Sequence, residues 1–349
     1  MVTLSDVAKV AGVSAKTVSR AINGDRDISD ATREQILRIA NEMDYVPHAQ
    51  ARRLASGKTR SIALHYPLAN PQLFSERLEM SFVSGIAMGA ALEDYYFTLF
   101  TGELSPAELR RICKGSIADG LILMQVGLDD WRVETLRELD YPFAMIGRCR
   151  DNTGLSFIDF DFEKALVDAF DFLVALGHSK IGFLAYPRSW RTGGLGPGIR
   201  ARAGFEAAIE KHGLEPISVE CDLNVSSSAA AVSRLLTEHP DVSAVVAMHN
   251  TTAVGAINAI QAAGWTVPDD CSVVGIAFGT DSDLITPPLT AIHWDAQAIG
   301  CHAAQMLIRR LDRKSEPVHQ ELVPPRLVMR RSTATHRDLI PGGPARDQR

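Results

Sequence analysis

Several classes of protein are excluded by what these 349 residues lack. No apolar run approaches the ~18 to 20 residues that a membrane-spanning helix requires, so no membrane partner is expected. Cysteine is scarce: Cys113, Cys149, Cys221, Cys271 and Cys301 are odd in number, widely spaced and form no C-x-x-C pair. Such usage fits reduced thiols better than a disulfide framework or a thiolate metal site. The opening MVTLSDVAKV has neither the basic n-region nor the apolar h-region of a secretory signal, and the expected location is the cytoplasm. Catalytic signatures are missing as well. The ten histidines form no H-x-x-x-H or H-E-x-x-H pattern, and no G-x-S-x-G, Walker loop or G-x-G-x-x-G follows a strand-like run. The stretch GGLGPG at 193–198 lacks the Lys-Ser/Thr of a phosphate loop and reads as a flexible loop. No enzyme, no cofactor and no metal site are expected.

What is present divides unevenly. Residues 1–60 hold ten Lys/Arg against seven Asp/Glu, a net +3, while the remainder carries −9. A small basic head on an acidic body suits a chain whose head alone meets a polyanion. The head reads as short helices. Thr3 and Asp6 make a capping-box-like start, with Leu4, Val7, Ala8 and Ala11 at helical spacing until Gly12 breaks the run. Ser14 caps a second helix that Gly24 ends. A third runs from about residue 31 to 43, with Ile36, Ile39 and Ala40 on one face, and Tyr45-Val46-Pro47 stops it. Two helices across a tight turn plus a closing third is the helix-turn-helix plan.

After residue 60 the rhythm changes. Short apolar runs (SIALHY, YFTLF, GLILM, FAMIG, KIGFLA, SAVVAM, SVVGIAF, LTAIHW) alternate with amphipathic helical patterns such as FEKALVDAFDFLVALG and NTTAVGAINAIQAAG. That alternation predicts an α/β body, parallel sheets covered by helices on both faces. Its length is large for one such layer system, so two lobes are expected. The last residues, RDLIPGGPARDQR, are polar and rich in Gly and Pro, and 336–349 is expected to be a disordered tail.

Read in order, TLSDVAKVAGVSAKTVSRAING, ISDATREQIL, YVP and ARRLASG, followed by IGR, LGHSKIGFLA, AGFEAAI, TTAVGAINAIQAAG, VPDDCSVVGIA and PPLTAI, resemble the lac repressor/galactose repressor family of bacterial transcription regulators. The resemblance runs over roughly residues 2–332. It implies a headpiece at 1–46, a hinge helix and linker at 47–60, and a two-lobed periplasmic-binding-protein-like body at 61–335 that binds a small effector and dimerises. Lobe 1 is expected at about 61–158 and 289–320, and lobe 2 at about 159–288 and 321–335. The implied function is a repressor of a carbohydrate operon acting as a homodimer on pseudo-palindromic double-stranded operator DNA. Its sugar-like effector is an inducer or a corepressor; the alternatives are a corepressor-dependent regulator of a non-sugar metabolite pathway and a small-molecule-binding protein without DNA function.

On the second helix Ala15, Lys16 and Arg20 point outward if Val18 and Ile22 form the buried stripe. Lys and Arg donate to guanine O6 and N7, and Ala touches a thymine methyl; the resemblance assigns base reading to these three positions. Thr3, Ser14, Thr17, Ser19 and Asn23 suit phosphate oxygens, although Thr3 and Ser14 also suit caps. Leu54, among Arg52, Arg53, Lys58 and Arg60, has two readings: a packing contact onto the body, or a wedge that pries the minor groove while the arginines hold phosphate. The resemblance favours the wedge.

The resemblance also places an effector cleft between the lobes, with Arg148 and Asp161 on matching positions. The family's arginine falls on Ala201, flanked by Arg200 and Arg202, and spacing does not say which replaces it. An Asn-Asp pair is replaced by His249-Asn250, and a further aspartate by Ala277, followed by Phe278. Phe74, Tyr186, Trp190 and Phe278 suit stacking on a pyranose face, though aromatic residues are more often core. Fewer carboxylates beside retained arginines predict a preference for an anionic sugar.

Overall fold

A computed structural model describes residues 2–22, 27–45, 59–67, 77–115, 117–278, 281–313 and 317–336. The chain forms two compact units, residues 1–59 and 60–349. Among the described residues, no helix is long and apolar enough to cross a membrane.

The headpiece is three helices, α1 (Leu4–Ala11), α2 (Ala15–Ile22) and α3 (Asp30–Glu42). Each start is chemically specified. Thr3 and Asp6 close a reciprocal capping box, and Ser14 and Ser29 accept from the amides of Thr17 and Thr32. Gly12 ends α1 at φ +68, the left-handed conformation that glycine adopts without strain. Val7, Ala8, Val18, Ala21, Ile36 and Ala40 make the small core. On α2 the buried stripe is therefore Val18 and Ala21, with Ile22 only partly buried.

The second unit holds two six-stranded sheets. In the first, β2 (Tyr96–Phe100), β1 (Ser61–His65), β3 (Gly120–Leu123), β4 (Phe143–Ile146), β5 (Phe157–Phe160) and β11 (Gln320–Val323) are parallel neighbours in that order. In the second, β7 (Ser218–Glu220), β6 (Ile181–Ala185), β8 (Ala244–Ala247), β9 (Ser272–Phe278) and β10 (Thr290–Trp294) repeat that parallel order. The edge strand β12 (Arg326–Val328) is antiparallel to β10. Every apolar run named above became a strand, because strands buried on both faces read as continuous apolar segments.

The helices follow as α4 (Arg77–Leu92), α5 (Pro106–Lys114), α6 (Trp131–Glu138), α7 (Phe162–Ala175), α8 (Arg188–Thr192), α9 (Gly196–His212), α10 (Val225–Glu238), α11 (Asn250–Ala262) and α12 (Ala296–Asp312). The expected lobe limits need correction at each of the three crossings. Residues 290–294 pair with β9 and so belong to lobe 2, not lobe 1; the chain crosses at Asp295, and α12 then packs on α4 in lobe 1. Residues 320–323 pair with β5 in lobe 1, so the last crossing is at Pro324-Pro325 rather than within 321–323. The first crossing is at Asp161, so residues 159–160 stay with β5 in lobe 1 rather than opening lobe 2. Strand pairing decides these limits, and pairing is invisible in a single run of residues. The described part of the tail ends at His336, whose amide donates to Leu176 O; 337–349 lies outside the described residues.

Close helix contact fixes lobe 1. A Cβ on Gly85 would lie 2.1 Å from Gln297 O, and one on Gly300 would lie 2.5 Å from Phe82 O. Glycine at these positions lets α4 and α12 meet backbone to backbone.

Candidate functional site

In the headpiece, Lys16 is exposed at the N-terminal end of α2, and Thr3 and Ser14 are exposed caps. Thr17, Ser19 and Arg20 are half-exposed, and the Arg20 guanidinium is ion-paired to Asp27. Ala15 is only half-exposed and packs partly against the headpiece core. Asn23, the hinge residues Arg52, Arg53 and Leu54, and Phe74 lie outside the described residues.

In the body, a cavity open to solvent lies at the carboxyl ends of the strands of both sheets. Tyr66 follows β1, Met124, Gln125 and Val126 follow β3, and Ile146 and Asp159 come from β4 and β5. Tyr186 and Trp190 come from lobe 2 after β6. Phe160, Phe162 and Trp294 stand at the crossings themselves. Seven aromatic residues stand in the walls. Tyr186 and Trp190 stack at 4.6 Å, and Phe160 stacks on Trp294 at 5.0 Å. Tyr66 donates to Glu79 Oε1 at 3.4 Å and accepts from the Gln125 amide at 3.3 Å.

Polar order in this wall comes from residues the sequence reading passed over. The loop after β3 is held by Arg132, which is buried, paired bidentately with Asp130, and donates to the carbonyls of Met124 and Gln125. Arg132 also meets Nδ1 of His65 at 3.1 Å; burial first, and then this guanidinium, depress the His65 pKa to about 4. His65 is thus neutral at pH 7.

GGLGPG is not a free loop. Gly196 opens α9, and Leu195 and Pro197 line the cavity. Leu128 N donates to Gly194 O at 2.9 Å and Gly196 N to Val126 O at 3.1 Å, so this stretch of lobe 2 clasps the β3 loop of lobe 1. Gly194 has φ +76, and a Cβ on Gly196 would lie 2.2 Å from Arg200 Nη1.

Of the expected cleft residues, the fold unites Arg148 and Arg200 around Asp159. Arg200 is buried, reaches across the lobes, and donates from Nη2 to the Arg148 carbonyl at 2.7 Å. Its Nη1 is 3.9 Å and Arg148 Nε 3.3 Å from Asp159 Oδ2, an oxygen that makes no hydrogen bond. Burial outweighs both guanidinium groups and raises the Asp159 pKa to about 6; burial also lowers that of Arg200. Arg202 instead faces outward, paired with Glu206 at 2.7 Å. Asp161 caps α7 through the amide of Lys164, and His249 caps α11 through that of Thr251, with Asn250 beside it; none of these three lines the cavity. Burial drops the His249 pKa to about 4. Phe278 ends β9, and its side chain lies outside the described set. Among the described residues the cavity wall carries the carboxyls of Glu79 and Asp159 and no arginine, a lining that suits a neutral effector better than the anionic sugar expected above. No motif flags Asp159 or Glu79; only their place at a strand end and on α4 puts them there.

Comparison with known proteins agrees with this architecture. Residues 3–48 match the family described as bacterial regulatory proteins, lacI family, and residues 170–333 match the periplasmic binding protein-like domain. The chain is 31% identical over 324 residues to the HTH-type transcriptional regulator CelR of Thermobifida fusca, covering 90% of this chain and 94% of that one. The solved transcriptional regulator CelR–cellobiose complex superposes with a TM-score of 0.69 at 29% identity, covering 95% of this chain and all of that one. The lac repressor dimer bound to operator and the anti-inducer ONPF superposes with a TM-score of 0.79 at 27% identity, covering 95% and 99%.

Proposed function

As the chain belongs to the lacI family of bacterial regulatory proteins, we propose that it represses transcription as a cytoplasmic homodimer on a pseudo-palindromic operator, under control of a neutral, sugar-like effector. It is an HTH-type DNA-binding regulator. Two-fold protein symmetry calls for two-fold symmetry in the DNA. On the headpiece, Lys16 and Arg20 read base edges beside Ala15, and Arg20 exchanges Asp27 for guanine on binding. Thr3, Ser14, Thr17, Ser19 and Asn23 meet phosphates. Leu54 wedges the minor groove, flanked by Arg52 and Arg53.

The observation that carries the effector reading is the aromatic cavity spanning both lobes, with acceptor oxygens on Glu79 and Asp159. Aromatic faces stack on the apolar face of a sugar ring, and carboxylates accept from its hydroxyls. Arg148 and Arg200 act from behind Asp159 and hold the lobes in register. The effector biases lobe arrangement, and lobe arrangement biases operator affinity.

Fluorescence anisotropy on the gene's own upstream DNA tests this. Lys16→Ala and Arg20→Ala should each cost about 1–3 kcal/mol of specific binding. Leu54→Ala should weaken operator binding while leaving effector binding alone. Cellobiose and related neutral disaccharides should shift the melting temperature, and their phosphates should not. Full operator affinity in all three variants would return the headpiece and hinge readings to solvated surface and packing contact.

A further inference from the structure

A cluster outside the cleft is used by nothing described so far. His302 lies on α12, Glu321 on the edge strand β11, and His319 immediately before that strand. His302 Nδ1 is 3.1 Å and His319 Nε2 3.0 Å from the same oxygen, Glu321 Oε2. The imidazole rings are 5.2 Å apart, and the three ligating atoms lie within 4.8 Å of one another. None of them lines the cavity.

We propose that His302, His319 and Glu321 form a binding site for a divalent transition-metal ion, zinc by the choice of ligands. Zinc takes imidazole nitrogen and carboxylate oxygen at ~2.0–2.2 Å in a tetrahedral shell, whose edges are then about 3.3–3.6 Å. The two nitrogen–oxygen separations in the cluster fall a few tenths of an ångström short of such an edge. A small outward movement of side chains that are each one-third to one-half exposed opens the required space. Two imidazoles among three donors disfavour calcium and magnesium, which take oxygen shells. The fourth position is left to water.

The donors are held by rigid backbone, so little ordering remains to be done on binding. Glu321 is in register with Ile158 across the β11–β5 ladder. At His319 the amide donates to Ser156 Oγ at 3.2 Å, and the carbonyl accepts from Phe157 N at 2.9 Å. Gln320 donates to the carbonyls of Asn152 and Leu155 at 2.7 and 3.1 Å. His302 sits on the helix that packs against α4. The ion links α12, which starts right after the crossing at Asp295, to β11, which ends right before the crossing at Pro324-Pro325. It therefore staples lobe 1 where two of its three connections to lobe 2 leave it. Without a metal, the same contacts are polar contacts between partly exposed side chains, and even a fully charged surface pair contributes only ~0–1 kcal/mol.

The full-length chain, stripped with a chelator and dialysed against micromolar zinc chloride, tests the site by metal analysis and titration calorimetry. One zinc ion per chain is expected, with a rise in melting temperature. His302→Gln, His319→Gln and Glu321→Gln should each weaken zinc binding at least about tenfold, the least that loss of even an outer-shell partner costs. His239→Gln, on lobe 2, serves as the control and should bind as the parent does. All four positions are at least partly exposed, and circular dichroism checks that the variants fold. No zinc uptake by the parent chain, or unchanged uptake in the three variants, overturns the site. Neither result bears on operator binding, which is measured separately.

Discussion

Asp159 shows how one residue can set a measurable property. Its carboxyl is buried, and its pKa is raised to about 6 by burial despite Arg148 and Arg200. A raised carboxyl pKa means that the folded chain holds the proton more tightly than the unfolded chain does. The group's contribution to stability is then complete below about pH 4 and is lost as pH rises to about 6. Relative to the parent, Asp159→Asn should therefore gain stability between pH 4 and pH 7, on the order of 3 kcal/mol. Any constant offset from the two guanidinium groups cancels in that comparison. Urea unfolding at both pH values measures it; parallel pH dependence in parent and variant would refute the burial account. The choice between Arg200 and Arg202 is a lesson at the same scale. Spacing left Arg200 and Arg202 equal, yet two residues on a helix differ by about 200° in direction, so only one can turn inward to Asp159.

Among the elements, the α4–α12 pair bears most directly on the cavity, since Leu78, Glu79 and Phe82 from one and Ile299 from the other line it. Gly85 sets their spacing, because a methyl there would meet the Gln297 carbonyl at 2.1 Å. Gly85→Ala should push the helices apart and destabilise the body by about 1–3 kcal/mol, the usual cost of overpacking. Thermal unfolding reports the loss, and an unchanged melting temperature would mean the contact relaxes freely. Elements were also the scale at which sequence reading worked best. Caps at Thr3, Ser14 and Ser29 are local chemistry, and the helical and strand periods of the body needed no partner to be seen. It failed on short edge strands such as β7 and β12, and on GGLGPG, where glycine spacing suggested freedom and the neighbouring lobe imposes order.

For the whole molecule, the decisive contacts are those that join the lobes. Arg200 donates to the Arg148 carbonyl, and Gly194 and Gly196 clasp the β3 loop. Removing one partner of a buried ion pair leaves the other charge uncompensated. Arg200→Met should thus destabilise the chain by ~3–5 kcal/mol, and adding Asp159→Asn should recover part of that. A double-mutant cycle that sums to zero coupling would separate the two residues functionally. The same variant should shift the effector concentration at which operator affinity changes, since Arg200 joins the two lobes.

The sequence by itself determined the helix-turn-helix head, the alternating α/β body and the membership that both imply, because caps, periodicity and apolar runs act over a few neighbouring residues. The tertiary structure decided where the chain crosses between lobes, which arginine turns inward to Asp159, why the cavity is aromatic and acidic, and where His302, His319 and Glu321 converge. Those outcomes depend on strand pairing and on the rotational phase of helices against sheets. Both are set by contacts between residues far apart in the chain, for which no local pattern exists.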